Sequence, residues 1–262
     1  MMQNDTTASI QITGLSELID ATNQMISLFA ADSAFWRGHA RADWSLVPQV
    51  LRLRDGGEPP YYESALIGNF ISRAPSRSHA RTPNPDAYLE WLSLAQHYRL
   101  PTRLLDWSDS PLIAAYFAVT DRPDETKNPE DCDGCLWALR PGGLNQHFGH
   151  PDALVRMNDP AVTEMAEFAF ADDKSCDAII LALDGKEIDR RMLAQMGRFT
   201  IHGYPVPIEL LPRAAQWLQR YVIPKDAKAK IKNQLAALGV RRSNMFPDLE
   251  NLAAELKNAR FV

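Results

Sequence analysis

Several things are scarce in this chain, and each shortage excludes a class of protein. Only 3 of the 262 residues are cysteine. That is too few for a disulfide framework and agrees with a reducing compartment. No apolar run approaches the roughly 20 residues that cross a bilayer. The start, Met1-Met2-Gln3-Asn4-Asp5, lacks the basic flank and apolar stretch of a signal peptide. The expectation is a cytoplasmic protein with no membrane partner. Excess positive charge is also absent. The formal net charge is −5, the opposite of what a non-specific coat on duplex nucleic acid needs. A local nucleic-acid site stays open. There is no Gly-x-Ser-x-Gly elbow and no glycine-rich phosphate loop.

What is present is ordinary globular material, 45% hydrophobic and 23% charged. Ile10 and Ile12 alternate with polar residues, a short strand signal, and Ser16 offers a helix N-cap before the stripe Leu18, Met25, Phe29. Phe35-Trp36-Arg37-Gly38 reads as a strand, and residues 61–71 and the stretch opened by Asp86 read as helices. Between them Arg73, Arg77, His79 and Arg81 make a basic loop. Residues 100–107 form a compact unit. Ser110 then caps a nearly all-apolar helix over 111–119, with Pro111 at its first position. Strands are predicted over 135–140, 177–183, 199–202 and 217–223, and helices over 188–196, 225–238 and 243–256. Helices and strands mix without a βαβα rhythm, which predicts an α+β fold. No linker breaks the chain, so residues 1–262 are expected to form one domain, with 1–29 supplying a strand and helix that pack on the rest.

One motif is a decoy. Cys132-x-x-Cys135 followed by His147-x-x-His150 comes close to a Cys₂His₂ zinc spacing. The histidine pair is one residue too tight, and Cys135 opens a strand. No metal is expected.

Three stretches carry a family resemblance. They are Phe35-Trp36-Arg37-Gly38; Gln96 to Ser108, running into Ser110-Pro111-Leu112 and Ala115-Tyr116-Phe117-Ala118; and Gln195 to Gly203. The ending Leu238-Gly239-Val240 and Met245 to Glu250 is similar too. Together these resemble the FRG-domain family of bacterial proteins over about residues 30–257. The family motif commonly has glycine after the tyrosine. Arg99 stands there in this chain, so a left-handed backbone is not expected at that position.

The residue order also suggests an ADP-ribosyltransferase-like site in a split antiparallel or mixed β core flanked by helices, with NAD as substrate. Arg37 would clamp phosphate through its guanidinium fork. Asp106 would stabilise the positive charge that builds on the ribose as nicotinamide leaves. Gln195 would bind a ribose hydroxyl; being an amide it cannot act as a base, a task left to Glu187 or Asp106. Gly38, His97, Thr102, Arg103, Trp107, Ser108, Tyr116 and Phe199 complete the expected NAD site. The target would be a macromolecule, nucleic acid or protein. The setting would be a toxin or anti-phage effector with an antitoxin or chaperone partner. The competing reading is a non-catalytic module that binds a nucleotide or protein. In that case Arg37 and Asp106 form a core ion pair, Arg103 pins a turn, His97, Trp107 and Tyr116 are structural, and Gln195 belongs to a helix cap.

Overall fold

The computed structural model describes residues 10–29, 34–53, 57, 62–77, 82–120, 131–171, 178–184 and 190–258. Its centre is an eight-stranded mixed sheet in the order β1-β8-β4-β2-β3-β7-β6-β5. The strands are β1 (Ile10–Gln11), β2 (Phe35–His39), β3 (Leu104–Ser108), β4 (Gly134–Leu139), β5 (Val155–Arg156), β6 (Ile180–Asp184), β7 (Gly197–His202) and β8 (Leu218–Ile223). From β8 to β6 every neighbour is antiparallel. Only the two edge pairs, β1 on β8 and β5 on β6, are parallel. The helices that matter for the site are α1 (Leu15–Phe29), α2 (Glu63–Arg73), α3 (Tyr88–His97), α4 (Pro111–Val119), α5 (Pro141–His147), α6 (Pro160–Glu167), α7 (Arg190–Gln195), α8 (Lys225–Ala237), α9 (Arg242–Met245) and α10 (Leu249–Asn258). The α+β expectation stands at the level of a mixed sheet flanked by helices.

Strand alternation sorts the core into two faces. Trp36 on β2 lies opposite Ser108 and Ala138. On this face α1, α4 and α8 bury Trp36, Leu136, Ala138 and Tyr221. Further along the same face, the core that holds α3 and α6 residues buries Leu104, Leu181, Phe199 and Ile201. On the other face Phe35, Leu105, Trp107, Trp137 and Leu139 pack with Leu144 of α5 and with Ile208 and Trp217.

The sheet is weakest in its middle. β2 pairs with β4 from Phe35 to His39, and β3 pairs with β7 from Leu104 to Ser108. Between β2 and β3 the register holds one pair, Trp36 opposite Ser108. The two helical groups on the first face part above this seam. Gly38 sits beside it because α4 leaves no room for a side chain: a Cβ there would lie 1.8 Å from the Ala114 carbonyl oxygen.

Helix ends follow one rule. Leu100, His150 and Val240 each donate an N–H five residues back, to Ala95, Asn145 and Leu235. This is the Schellman closure, which needs a left-handed residue just before the donor. Gly149 (φ 81°) and Gly239 (φ 83°) fill that role without strain, but at the end of α3 it falls to Arg99, at φ 64°. The expectation that Arg99 would avoid positive φ is therefore wrong. The closure dictates the backbone, and arginine bears the Cβ clash that glycine would not.

Candidate functional site

A cleft opens on the first face above the β2–β3 seam. Its cavity volume is about 100 Å³. Its floor is β2, β3 and β7, through Arg37, Asp106 and Phe199. Its walls are α3, with Gln96 and His97; α4, with Phe117; and α7, with Gln195. Residues 37, 106 and 195 are thus brought to one place. Gly38, Trp107 and Ser108 line it as well.

Arg37 enters the seam from the opposite face. It shares the parity of Phe35 and His39, while Asp106 shares that of Ser108, so the two meet through main chain. The His202 N–H donates to the Arg103 carbonyl and the Asp109 N–H to that of Met196. Two-residue alternation then turns the Asp106 carbonyl away from β7 and toward β2, where the ladder is open. Arg37 Nη1 donates to that carbonyl. Its Nε donates to His39 Nε2 at 2.9 Å. His39 Nδ1 lies 3.1 Å from the Trp44 carbonyl oxygen, which can only accept, so Nδ1 carries the hydrogen and Nε2 is the acceptor Arg37 requires. The guanidinium, in a residue only 9% exposed, thus supplies the hydrogen bonding that the parted strands lack.

Asp106 is the one carboxylate among the described residues that line the cleft. Its position is set by a relay from α3. The Leu104 N–H donates to Thr102 Oγ1 at 3.2 Å, and the Thr102 hydroxyl donates to Gln96 Oε1 at 2.7 Å. This orients the Gln96 amide, whose Nε2 donates to Asp106 Oδ2 at 2.9 Å. Thr102 therefore acts one bond removed from the cleft, which it does not line.

On the α7 side the Ser108 hydroxyl donates to the Gln195 carbonyl at 2.7 Å and accepts the Ser110 N–H at 3.1 Å. Ser110 in turn caps α4 through Ile113. Gln195 Nε2 donates to the Met245 carbonyl at 3.0 Å. That contact commits one of the two amide hydrogens to α9 and fixes which end of the amide is Oε1. Arg198 and Asp109 pair at 2.6 Å behind the turn. Burial pushes the Asp109 carboxyl up, and the Arg198 guanidinium works against it.

Besides Thr102, two further expected site residues lie outside the cleft. Arg103 is 7% exposed and pairs with Glu63 at 2.9 Å, with its Nη1 on the Met165 carbonyl at 3.0 Å. It ties the entry of β3 to α2 and α6. Burial pushes the Glu63 carboxyl up while Arg103 opposes it. Tyr116 is packed among Trp36, Tyr221 and the other residues beneath α4. The helical phase presents Ala114 and Phe117, one turn apart, to the cleft instead. Glu187 lies outside the described residues. Gln96, Phe117, Trp36 and Ser93 line the cleft without having been singled out as site residues. Gln96 heads the long motif, and an amide in the last turn of a helix, five residues before Pro101, was the available signal.

Beneath the floor the Trp107 indole N–H donates to Thr200 Oγ1 at 3.1 Å, and that hydroxyl lies 2.9 Å from His202 Nε2. His202 is fully buried. Burial, with the Arg37 and Arg103 guanidiniums, pushes it down to about 3 from its ordinary 6.5, so it is neutral. Its Nδ1 is buried without a partner.

No group of three or more metal-ligating side chains occurs among the described residues. Cys135 is buried in β4, where burial pushes its thiol up to about 11. No described helix is long and apolar enough to cross a membrane. No curated protein and no solved structure matches the chain. One family does: residues 32–127, the stretch that brings Arg37, Gly38, His97 and Asp106 to the cleft, match the FRG domain.

Proposed function

We propose that the cleft binds NAD and that the protein is an ADP-ribosyltransferase-like enzyme acting on a macromolecular acceptor. The observation that carries this reading is the meeting of Arg37, Asp106 and Gln195 at the parted β2–β3 seam. The seam also supports an ADP-ribosyltransferase-like split sheet, since it opens the floor where a ribose would sit. In the reaction the bond between ribose C1′ and the nicotinamide nitrogen breaks. Nicotinamide leaves neutral with the electron pair, and the ribose carries the positive charge. Asp106, the cleft's carboxylate, stabilises that charge. Gln195 Oε1, its orientation set by Met245, accepts a ribose hydroxyl. Phe199 and Phe117 give the nicotinamide ring apolar walls. The acceptor's nucleophile then bonds to C1′ and loses its proton to Asp106 or water. Arg37 serves by holding the Asp106 main chain in place.

Nicotinamide release and NAD binding, measured together on Gln195→Ala, test the assignment. Turnover should fall roughly ten-fold or more while NAD binding is nearly unchanged, because the ribose contact strengthens only as charge develops. Equal losses in both would leave Gln195 as a binding residue alone.

A second reading has its own support. Arg37 Nη1, Arg37 Nε and Gln195 Nε2 are bonded to protein groups, as expected of a finished scaffold. The protein would then be a binding module for a nucleotide or protein, and wild type would release no nicotinamide with any acceptor.

A further inference from the structure

The wall formed by α3 ends at the cleft mouth in His97, followed by Tyr98 and Arg99. Tyr98 is 64% exposed, although it is a large aromatic. Its ring lies 6.2 Å from Phe70 on α2, so the C-terminal end of α2 sits against this rim. Arg73 is one turn beyond Phe70. Arg77 folds back on the helix end, its Nη1 donating to the Arg73 carbonyl at 3.1 Å. Arg73, Arg77 and Arg99 are all exposed. Arg99 is thrust outward by the left-handed turn that closes α3.

The charge pattern is lopsided. No carboxylate occurs from residue 64 to 85 or from 91 to 105, in a chain whose net charge is −5. Glu63, just before the first stretch, is buried against Arg103. The rim therefore presents cations and one open aromatic ring, beside a cleft that holds Asp106.

We propose that this rim, built by α2, Tyr98 and Arg99, docks the acceptor, and that the acceptor is single-stranded nucleic acid. The assignment rests on the transferase reading for the word acceptor. Phosphates explain the arginines, but they would suit an acidic protein equally. The exposed Tyr98 decides between the two, because an unpaired base offers a face to stack on it and a carboxylate does not.

The test is binding of a labelled single-stranded oligonucleotide of mixed sequence at several salt concentrations, with nicotinamide release measured on the same proteins. Wild type should bind with a log–log salt slope of about −2, from three phosphate contacts at about −0.7 each. Arg73→Gln with Arg77→Gln should weaken binding roughly ten-fold and flatten the slope by about 1.4. Tyr98→Ala should weaken it roughly ten-fold with the slope unchanged. Nicotinamide release without acceptor should stay at the wild-type level in both variants. The proposal is overturned if wild type does not bind, or if a duplex of equal length binds as tightly. It is also overturned if polyglutamate competes equally and Tyr98→Ala binds normally, which would assign the rim to an acidic protein. Intact oligonucleotide binding with no nicotinamide release from wild type would remove the enzyme and keep the docking surface. Release without oligonucleotide binding would do the reverse.

Discussion

Arg37 separates a residue that builds the seam from one that only waits for a ligand. Replacing it with methionine keeps much of the apolar stem and removes the fork. Two hydrogen bonds from a charged donor are lost, to the Asp106 carbonyl and to His39 Nε2. Bonds of this kind contribute about 1.5–3 kcal/mol each. Removing a charge from a site only 9% exposed returns part of that. The net expectation for Arg37→Met is a loss of about 3 kcal/mol, or roughly 6–12 °C in melting temperature for a domain of this size. Arg37→Lys should lose about 2 kcal/mol, because one ammonium cannot reach both the carbonyl and the imidazole. The assay is denaturant unfolding with thermal melting as a check. A ligand clamp with no structural task would leave both variants as stable as wild type. That result would refute the account of the seam.

Two further stability predictions follow from the backbone and from a buried histidine. Arg99→Gly should stabilise the protein by about 0.5–1 kcal/mol in denaturant unfolding, because the relief of about 1–2 kcal/mol at positive φ outweighs glycine's added unfolded-state entropy; a loss would mean the Arg99 side chain contributes contacts instead. His202 is held neutral down to about 3, so the unfolded chain takes up its proton first as pH falls through 6.5. The stability it contributes is present above that value and declines toward pH 3. Between about pH 7.5 and 5.5 wild type should lose about 1.4 kcal/mol more than His202→Gln, and parallel curves would contradict the burial of a neutral imidazole.

Much of the fold was legible where local chemistry and burial agree. Ser110, Pro111 and the apolar run placed α4 at the residues it occupies, and Gly239 marks the end of α8. Reading failed where tertiary packing overrides a local signal. β3 was read only as a compact unit, because Pro101 and Arg103 stand just before it and the strand's own alternation is masked by burial on both faces. α5 was missed because Pro141-Gly142-Gly143 looks like a turn. The glycines are there for closeness: a Cβ on Gly143 would lie 2.7 Å from that of Trp217. The last helix, expected as one piece, is divided at Pro247 into α9 and α10. Of the site, the convergence of Arg37, Asp106 and Gln195 was readable from three motifs. Which face of α4 meets the cleft was not, since a helix apolar on all sides has no phase to read. The pairing of Arg103 with Glu63, 40 residues away, was equally invisible.

Asp106 gives the most direct test of the proposed chemistry. Asp106→Asn keeps the size of the side chain and an oxygen for the Gln96 amide to bond, and it removes only the charge. Nicotinamide release from NAD should be measurable in wild type and fall about 10²–10³-fold in Asp106→Asn, with NAD binding and melting temperature nearly unchanged. An inert wild type, or a variant as active as wild type, would contradict the assignment of this cleft to NAD cleavage.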